Sequence, residues 1–327
     1  MISINFSEIT HNYWNKMKIA HISDIHLNTL FNDSNLLRVK RLIKYISSLS
    51  VNHLIITGDL ADNADESDLL ILKKMLSKFG FLSNLNLTVI PGNHDIFGGP
   101  QKPVDIFSFP ERCKEVDYRA KLNLFSDIFK ETFYDTLSVD DESQFPFIKE
   151  LDGVIILGIN SIAEYSKYKN PFASNGEVKL NHFNKIDELL KKFADKDVFK
   201  IVAIHHHFNK MKNTKRSIAG FWQNIEKQTM KLKKKKRLIS LFQKHNIGLV
   251  LHGHIHYNEF YERKGIAFLN AGASTVGYTG KSLRVNILEL EQGRVHCKLH
   301  KLTESGEVKI EELFRKEYRT VLKLSPI

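Results

Sequence analysis

Only two cysteines, Cys113 and Cys297, occur in 327 residues. They are too few and too far apart to suggest a disulfide framework, and such usage points to a reducing compartment. No run approaches the about 20 consecutive apolar residues that span a bilayer. The N-terminal stretch from Met1 to Lys16 scatters Glu8, His11 and several asparagines among its apolar residues, so it lacks the apolar centre of a signal peptide. These absences predict a cytoplasmic protein with no membrane partner. Internal repeats and long flexible linkers are absent too. Hydrophobic residues at 42% and charged residues at 26% are ordinary for a folded chain and argue against disorder. The expectation is a single domain over residues 1–327, with a core at about 18–302, an insertion at about 96–150 and a C-terminal extension at about 303–327.

Acidic residues are in deficit: 48 Lys and Arg stand against 37 Asp and Glu, a formal charge of +11. Such an excess raises the question of a polyanionic partner. The densest basic stretch, Thr229 to Phe242, carries Lys231, Lys233 to Lys236 and Arg237 beside Leu232, Leu238, Leu241 and Phe242. No aromatic residue is interleaved with these lysines to stack bases. A solvated helix face is therefore favoured over a phosphate-contacting patch.

What the chain has in abundance is polar residues at the ends of apolar runs. Lys18 to Ser23 reads as a strand and runs into Asp24-Ile25-His26. On an extended chain, side chains two apart point the same way, so Asp24 and His26 converge on one point. After a helical pattern over Asn35 to Leu49, the buried run His53 to Thr57 ends at Gly58-Asp59. Another helical pattern, Ser67 to Phe79, leads to Leu87-Thr88-Val89-Ile90 and then Pro91-Gly92-Asn93-His94-Asp95. There Gly92 is read as permitting the turn that gathers three polar side chains. Strand and helix in alternation favour parallel strands whose carboxyl ends share one edge, where ligands bind.

The pattern weakens from Ile96 to Glu150, where Gly98-Gly99-Pro100, Pro103 and Pro110 mark irregular chain, Leu122 to Phe133 is a candidate helix and Asp140-Asp141-Glu142 a solvated turn. This insertion reads equally as a lid or as a surface excursion. Val154 to Asn160 returns to strand character, followed by a loop over Ser166 to Lys179 and an amphipathic helix over His182 to Phe193. Phe199 to Ile204 ends in His205-His206-His207, of which at most two face one side, so one ligand is the natural expectation. Ile247 to Leu251 runs into His252-Gly253-His254-Ile255-His256 and repeats the spacing of Asp24 and His26. Ile266 to Leu269, Leu283 to Leu290 and Val295 to Leu302, with a hairpin at Gly293, read as a closing antiparallel meander.

Each motif alone has a bland reading, since turns rich in Asn, Asp and Gly follow strands for conformational reasons. The ordered set Asp24-x-His26, Gly58-Asp59, Gly92-Asn93-His94-Asp95, His205-His206 and Gly253-His254-x-His256 resembles the calcineurin-like metallophosphoesterase family, from residue 18 to about 275. Within it, the chain looks closer to the bacterial cyclic-nucleotide phosphodiesterases than to the larger nucleases. The resemblance implies an α/β fold of four layers, two mixed β-sheets face to face with helices outside. It also implies two divalent ions, one held by Asp24, His26, Asp59 and His256, the other by Asp59, Asn93, His206 and His254, with Asp59 bridging. His206 aligns best in its block, with His205 as the alternative. Phe208 stands where the family pattern has proline, which leaves the following loop undefined. His94 takes the place of the residue that protonates or stabilises the leaving oxygen, with Asp95 orienting it.

Imidazole, amide and carboxylate donors suit manganese, iron or zinc better than calcium. Two such ions about 3.5–4 Å apart activate water as hydroxide and neutralise phosphoryl oxygens. The function expected is hydrolysis of a phosphate ester, most simply a diester of a nucleotide or another small phosphorylated molecule. A nuclease of the same fold and a non-catalytic binding or scaffold protein are the alternatives.

Overall fold

Every residue of His53-Leu54-Ile55-Ile56-Thr57 is buried, which the sequence foreshadows in a run without polar alternation. In the computed structural model of the protein, which describes residues 16–30, 32–100, 103–139, 143–209, 230–275 and 282–318, this run is β2. It lies between two parallel partners, β1 (Met17–Ile22) and β3 (Leu87–Ile90). Their crossover helices are α1 (Asp33–Ser48) and α2 (Glu66–Lys78). Leu42, Ile43 and Ile46 from the first and Leu69, Leu72 and Leu76 from the second are buried, the i, i+3, i+4 and i+7 stripe of a helix lying on a sheet. Asp65 caps α2, its side chain accepting a hydrogen bond from the Ser67 amide.

After α3 (Asn93–Phe97), α4 (Phe109–Glu115) and α5 (Tyr118–Ile128), a second sheet begins with β4 (Leu137–Ser138), β5 (Phe147–Leu151) and β6 (Val154–Ile159). It continues through α6 (Leu180–Lys191), β7 (Phe199–Ile204), α7 (Lys235–Lys244), β8 (Leu249–His252), β9 (Glu259–Arg263) and β10 (Ile266–Asn270). The chain then returns to the first sheet as the meander β11 (Leu283–Glu291), β12 (Arg294–Leu302) and β13 (Val308–Glu317). The strand orders are β13-β12-β11-β1-β2-β3 and β4-β5-β6-β7-β8-β10-β9. Both sheets are mixed: β11 runs antiparallel to β1, while β6, β7, β8 and β10 run parallel between antiparallel neighbours. They pack face to face, with Phe260 of β9 stacked on Phe314 of β13 at 4.3 Å. Helices α6 and α7 cover the second sheet through Phe183, Ile186, Leu238 and Phe242.

Three sequence expectations shift. Ile266 to Leu269 does not open the closing meander; it is β10 and pairs in parallel with β8 in the other sheet. The insertion contributes β4 and part of β5 to the second sheet, and residues beyond 302 supply the edge strand β13. In the lysine run, α7 starts only at Lys235; Lys233 and Lys234 pair with Glu177 at 3.4 and 2.6 Å, and Arg237 lies over the Phe183 ring. Residues 1–15, Asp140-Asp141-Glu142 and Thr229 lie outside the described residues. No helix among the described residues is long and apolar enough to cross a membrane.

Lys149 on β5 reaches across to β3, where its ammonium donates to the Leu87 carbonyl, and it is only 3% exposed. Burial lowers its pKa from the usual 10.5 to about 7, because the charged form loses its hydration. Between pH 7 and 10.5 the unfolded chain therefore binds the proton more tightly, so this lysine favours the native state above its unfolded pKa and loses that contribution as pH falls through 7. Lys149→Met is expected to stabilise the protein by a few kcal/mol relative to wild type at pH 6, and the gain should shrink by pH 10. Urea unfolding at the two pH values checks this; a gain independent of pH would contradict it.

Candidate metal centre

The loops that follow β1 and β2 run side by side. The amides of Asp24, His26 and Leu27 donate to the carbonyls of Gly58, Asp59 and Leu60 at 2.9–3.0 Å, extending the parallel register beyond the strands. Asp24, His26, Asp59 and His254 all adopt left-handed backbone conformations, with φ of 50°, 47°, 52° and 71°. Non-glycine residues there cost of the order of 1–3 kcal/mol each. Asp24 and His26 thus converge through a turn past the end of β1, not through the alternation of an extended strand. Two glycines let these loops meet closely. A Cβ on Gly92 would sit 2.1 Å from the Asp59 carboxylate, and one on Gly253 would sit 1.9 Å from Ser23 Oγ. Gly92 itself has φ of −105°, so close approach and not backbone freedom requires the glycine.

Three groups of donors result, each with its ligand atoms within 4.8 Å of one another: Asp24, His26 and His256; Asp59, His205 and His254; and His26, Asp62 and His94, the last sharing His26 with the first. The neighbours of the imidazoles fix their tautomers. His26 Nδ1 lies 3.0 Å from an Asp62 carboxylate oxygen, to which its N–H donates. Its Nε2 faces His256 Nε2 at 3.1 Å and Asp59 Oδ2 at 3.8 Å. His205 Nδ1–H donates to the Thr57 carbonyl at 2.7 Å. Its Nε2 faces Asn93 Oδ1 at 3.2 Å, Asp59 Oδ2 at 3.3 Å and His254 Nδ1 at 3.1 Å; burial opposes its charge, but the Asp59 and Asp24 carboxylates raise its pKa to about 9. Ring nitrogens and carboxylate oxygens gathered across a buried space suit a cation, which would take the place of the protons they otherwise share, and histidines oriented through the opposite nitrogen are the usual way to present them. Asp59 Oδ2 belongs to both spaces. The residues therefore fit a pair of divalent ions.

A family profile for calcineurin-like phosphoesterases matches residues 17–258. The chain belongs to that family. It is accordingly a hydrolase of phosphate esters. Among solved structures, a dimetal phosphatase from Danio rerio is similar at 11% identity and a TM-score of 0.59, covering 93% of this chain and 99% of that one. Purple acid phosphatase PPD1 from yellow lupin is similar at 12% identity and a TM-score of 0.55, covering 91% of this chain and 54% of that one. At such identities these likenesses speak for the fold alone. No curated protein matches the sequence.

In this phosphoesterase two sequence assignments change. His206 turns away from the donor set: its Nδ1 meets Ser161 Oγ at 2.8 Å and its Nε2 the Ser174 carbonyl at 3.3 Å. His205 occupies the place expected of His206. Phe208, in the position of the missing proline, is fully buried against Phe242 and Phe268, and its amide donates to Tyr261 Oη, a bond proline could not make. Asp95 does not orient His94. Its carboxylate accepts the amides of Ala61 and Gly92, both at 2.8 Å, and burial with the nearby Asp59 charge raises its pKa to about 7.

The partner of His94 is Asp62, whose backbone carbonyl lies 3.0 Å and carboxylate 3.2 Å from Nδ1. Sequence reading missed Asp62, although its place three residues after Asp59 was a usable signal. Burial opposes ionisation of Asp62, but hydrogen bonds from His26 and His94 hold its pKa well below the usual range. Burial would also strip the proton from His94, yet the Asp59 charge and the Asp62 hydrogen bond raise its pKa to about 10. Asp62 thus joins His26 of the first donor set to His94.

Proposed function

We propose that this phosphoesterase holds one divalent ion with Asp24, His26, Asp59 and His256 and a second with Asp59, Asn93, His205 and His254, and that it acts as a phosphodiesterase on nucleotides or another small phosphorylated molecule. The observation that carries the reading is the Asp59 carboxylate set between two groups of converging donor atoms. When bound, such a pair of ions makes water a nucleophile at neutral pH and offsets charge on the phosphoryl oxygens. Asp59 fixes the spacing between the two groups, its other oxygen held by the His94 amide at 2.8 Å. His94, protonated and oriented by Asp62, stands ready to give its proton to the departing alkoxide, a general-acid role. Asp24 is pinned by two hydrogen bonds from the His254 amide, both at 3.0 Å, which ties its own half of the centre to the loop carrying His254 and His256.

Nitrogen and oxygen donors without thiolate favour manganese, iron or zinc. A cytoplasmic site of action accords with Cys113 and Cys297 as free, buried thiols. The pairing of Lys233 and Lys234 with Glu177 weighs against a nuclease that uses the lysine run. Hydrolysis assays over phosphomonoesters, cyclic nucleotides, linear diesters and oligonucleotides, with manganese, iron and zinc added separately, test the reading. Turnover of a small diester that depends on the added ion is expected. Metal-loaded protein that hydrolyses none of them while still binding one would make it a binding protein instead.

A further inference from the structure

Among the described residues, Arg284 is a cation whose side chain has no visible partner. It is only partly exposed, its Nε is shut off from solvent, and neither a carboxylate nor a carbonyl accepts from that atom. A buried guanidinium N–H without an acceptor costs about 1–3 kcal/mol, so its retention calls for an explanation.

Its place in the fold offers one. Arg284 is on β11, two residues from Asn286, and so shares that residue's face of the sheet. Asn286 is paired with His21 and touched by the side chain of Asn258, two positions past His256. Arg284 therefore faces the second sheet at the edge where the donor sets gather. Only Ser274 separates it from the Asp24 loop. The Arg284 amide donates to the Ser274 carbonyl at 2.9 Å, and the Ser274 amide donates to Ser23 at 3.0 Å. Two strand spacings, about 10 Å of backbone, thus lie between Arg284 and Ser23, a gap that an arginine and a phosphate-sized group together can bridge.

Among the described residues, two neighbouring cations are already engaged. Lys301, opposite Arg284 on β12, pairs with Glu311 at 2.6 Å, and Arg41 donates to the carbonyls of Thr303 and Glu304. Arg38 also has an unpartnered nitrogen, but α1 packs on the opposite face, where Tyr45 meets His300. The flat fork of a guanidinium matches the geometry of a phosphate and binds it through paired, charge-assisted hydrogen bonds.

We propose that Arg284 grips a second phosphate of the substrate, the one that is not cleaved, and so selects phosphoesters that carry two phosphate groups. This deepens the proposed function and rests on it, since the first phosphate is the one placed at the Asp59 centre. Equilibrium binding to manganese-loaded protein tests it with adenosine 3′,5′-bisphosphate against adenosine 5′-monophosphate. Wild type is expected to bind the bisphosphate about tenfold or more tightly. Arg284→Gln should reduce that preference to about threefold or less, with monophosphate affinity and metal content unchanged, and Arg284→Lys should restore part of it. A preference that survives in Arg284→Gln, an equal loss for both ligands, or no preference in wild type would overturn the proposal. A single-stranded oligonucleotide measured in parallel separates the two sources of a second phosphate. Dependence on Arg284 confined to the bisphosphate assigns a free nucleotide, and equal dependence for the oligonucleotide assigns a polynucleotide. Because binding is read and not turnover, failure to hydrolyse any ester would sink the catalytic reading and leave this result standing.

Discussion

Replacing Asp59 with asparagine is expected to abolish tight binding of both divalent ions together and to lower phosphoester hydrolysis by roughly a thousandfold, since several kcal/mol of transition-state stabilisation leave with the ions. The reason is positional. One oxygen of Asp59 faces both His26 and His205, so no other side chain can replace it in either set. An amide keeps the shape but surrenders the negative charge. The histidine triplet sharpens the test: His205→Ala should cost about one ion per chain, whereas His206→Ala, which removes contacts to Ser161 and Ser174, should leave the metal content near that of wild type. Metal stoichiometry by atomic emission, read alongside kcat, decides it. Two ions bound per chain in Asp59→Asn, or loss of an ion in His206→Ala but not in His205→Ala, would overturn the assignment.

His94→Ala should behave differently, with kcat falling about a hundredfold to ten-thousandfold and metal content unchanged. Asp59 and Asp62 hold the imidazole protonated at neutral pH, and bound cations offset part of the Asp59 contribution. With His94 as proton donor, wild-type kcat declines as pH rises through the His94 pKa, and that alkaline limb should vanish in the alanine variant. Asp62→Asn keeps the ring in place but weakens its charge partner, so the limb is expected to move to lower pH. Substrates with a leaving group of low pKa, such as 4-nitrophenol, need little proton donation and should show a smaller loss. Normal turnover of alkyl diesters by His94→Ala would remove the catalytic role.

The strands of this fold are legible in the sequence because buried parallel strands have no polar alternation: β6 has no polar residue, β2 has only His53 and Thr57 at its ends, and β7 only Lys200. Their ends are legible because polar clusters follow them. What alternation cannot supply is direction once the strand has ended. The strand containing Ile204 stops just before His205, so a period of two no longer tells His205 from His206. The left-handed turns at Asp24, His26, Asp59 and His254 follow from loops pressing on one another across the centre, a tertiary constraint with no local signature. β10 ends at Asn270 in the second sheet and β11 begins at Leu283 in the first; hydrophobic patterning is the same for either sheet. Asp62 escaped notice because attention falls on residues at a strand end, and its role depends on the turn that brings it back beneath His26 and His94.

The candidate centre draws on both sheets, with Asp24, His26 and Asp59 from loops of the first and Asn93 from the helix after β3, and His205, His254 and His256 from loops of the second. His26 and His256 stand 230 positions apart in the chain and meet at 3.1 Å. Closing so long a segment is an entropic cost met before any ion finds a full set of donors. Ions held by residues of both sheets would act on a sandwich already assembled, as a rivet set after the plates are aligned. Their binding free energy would then add to the stability of the finished protein in proportion to the logarithm of ion concentration, so the supply of metal would set how firmly the two sheets hold together as well as how fast the site can work.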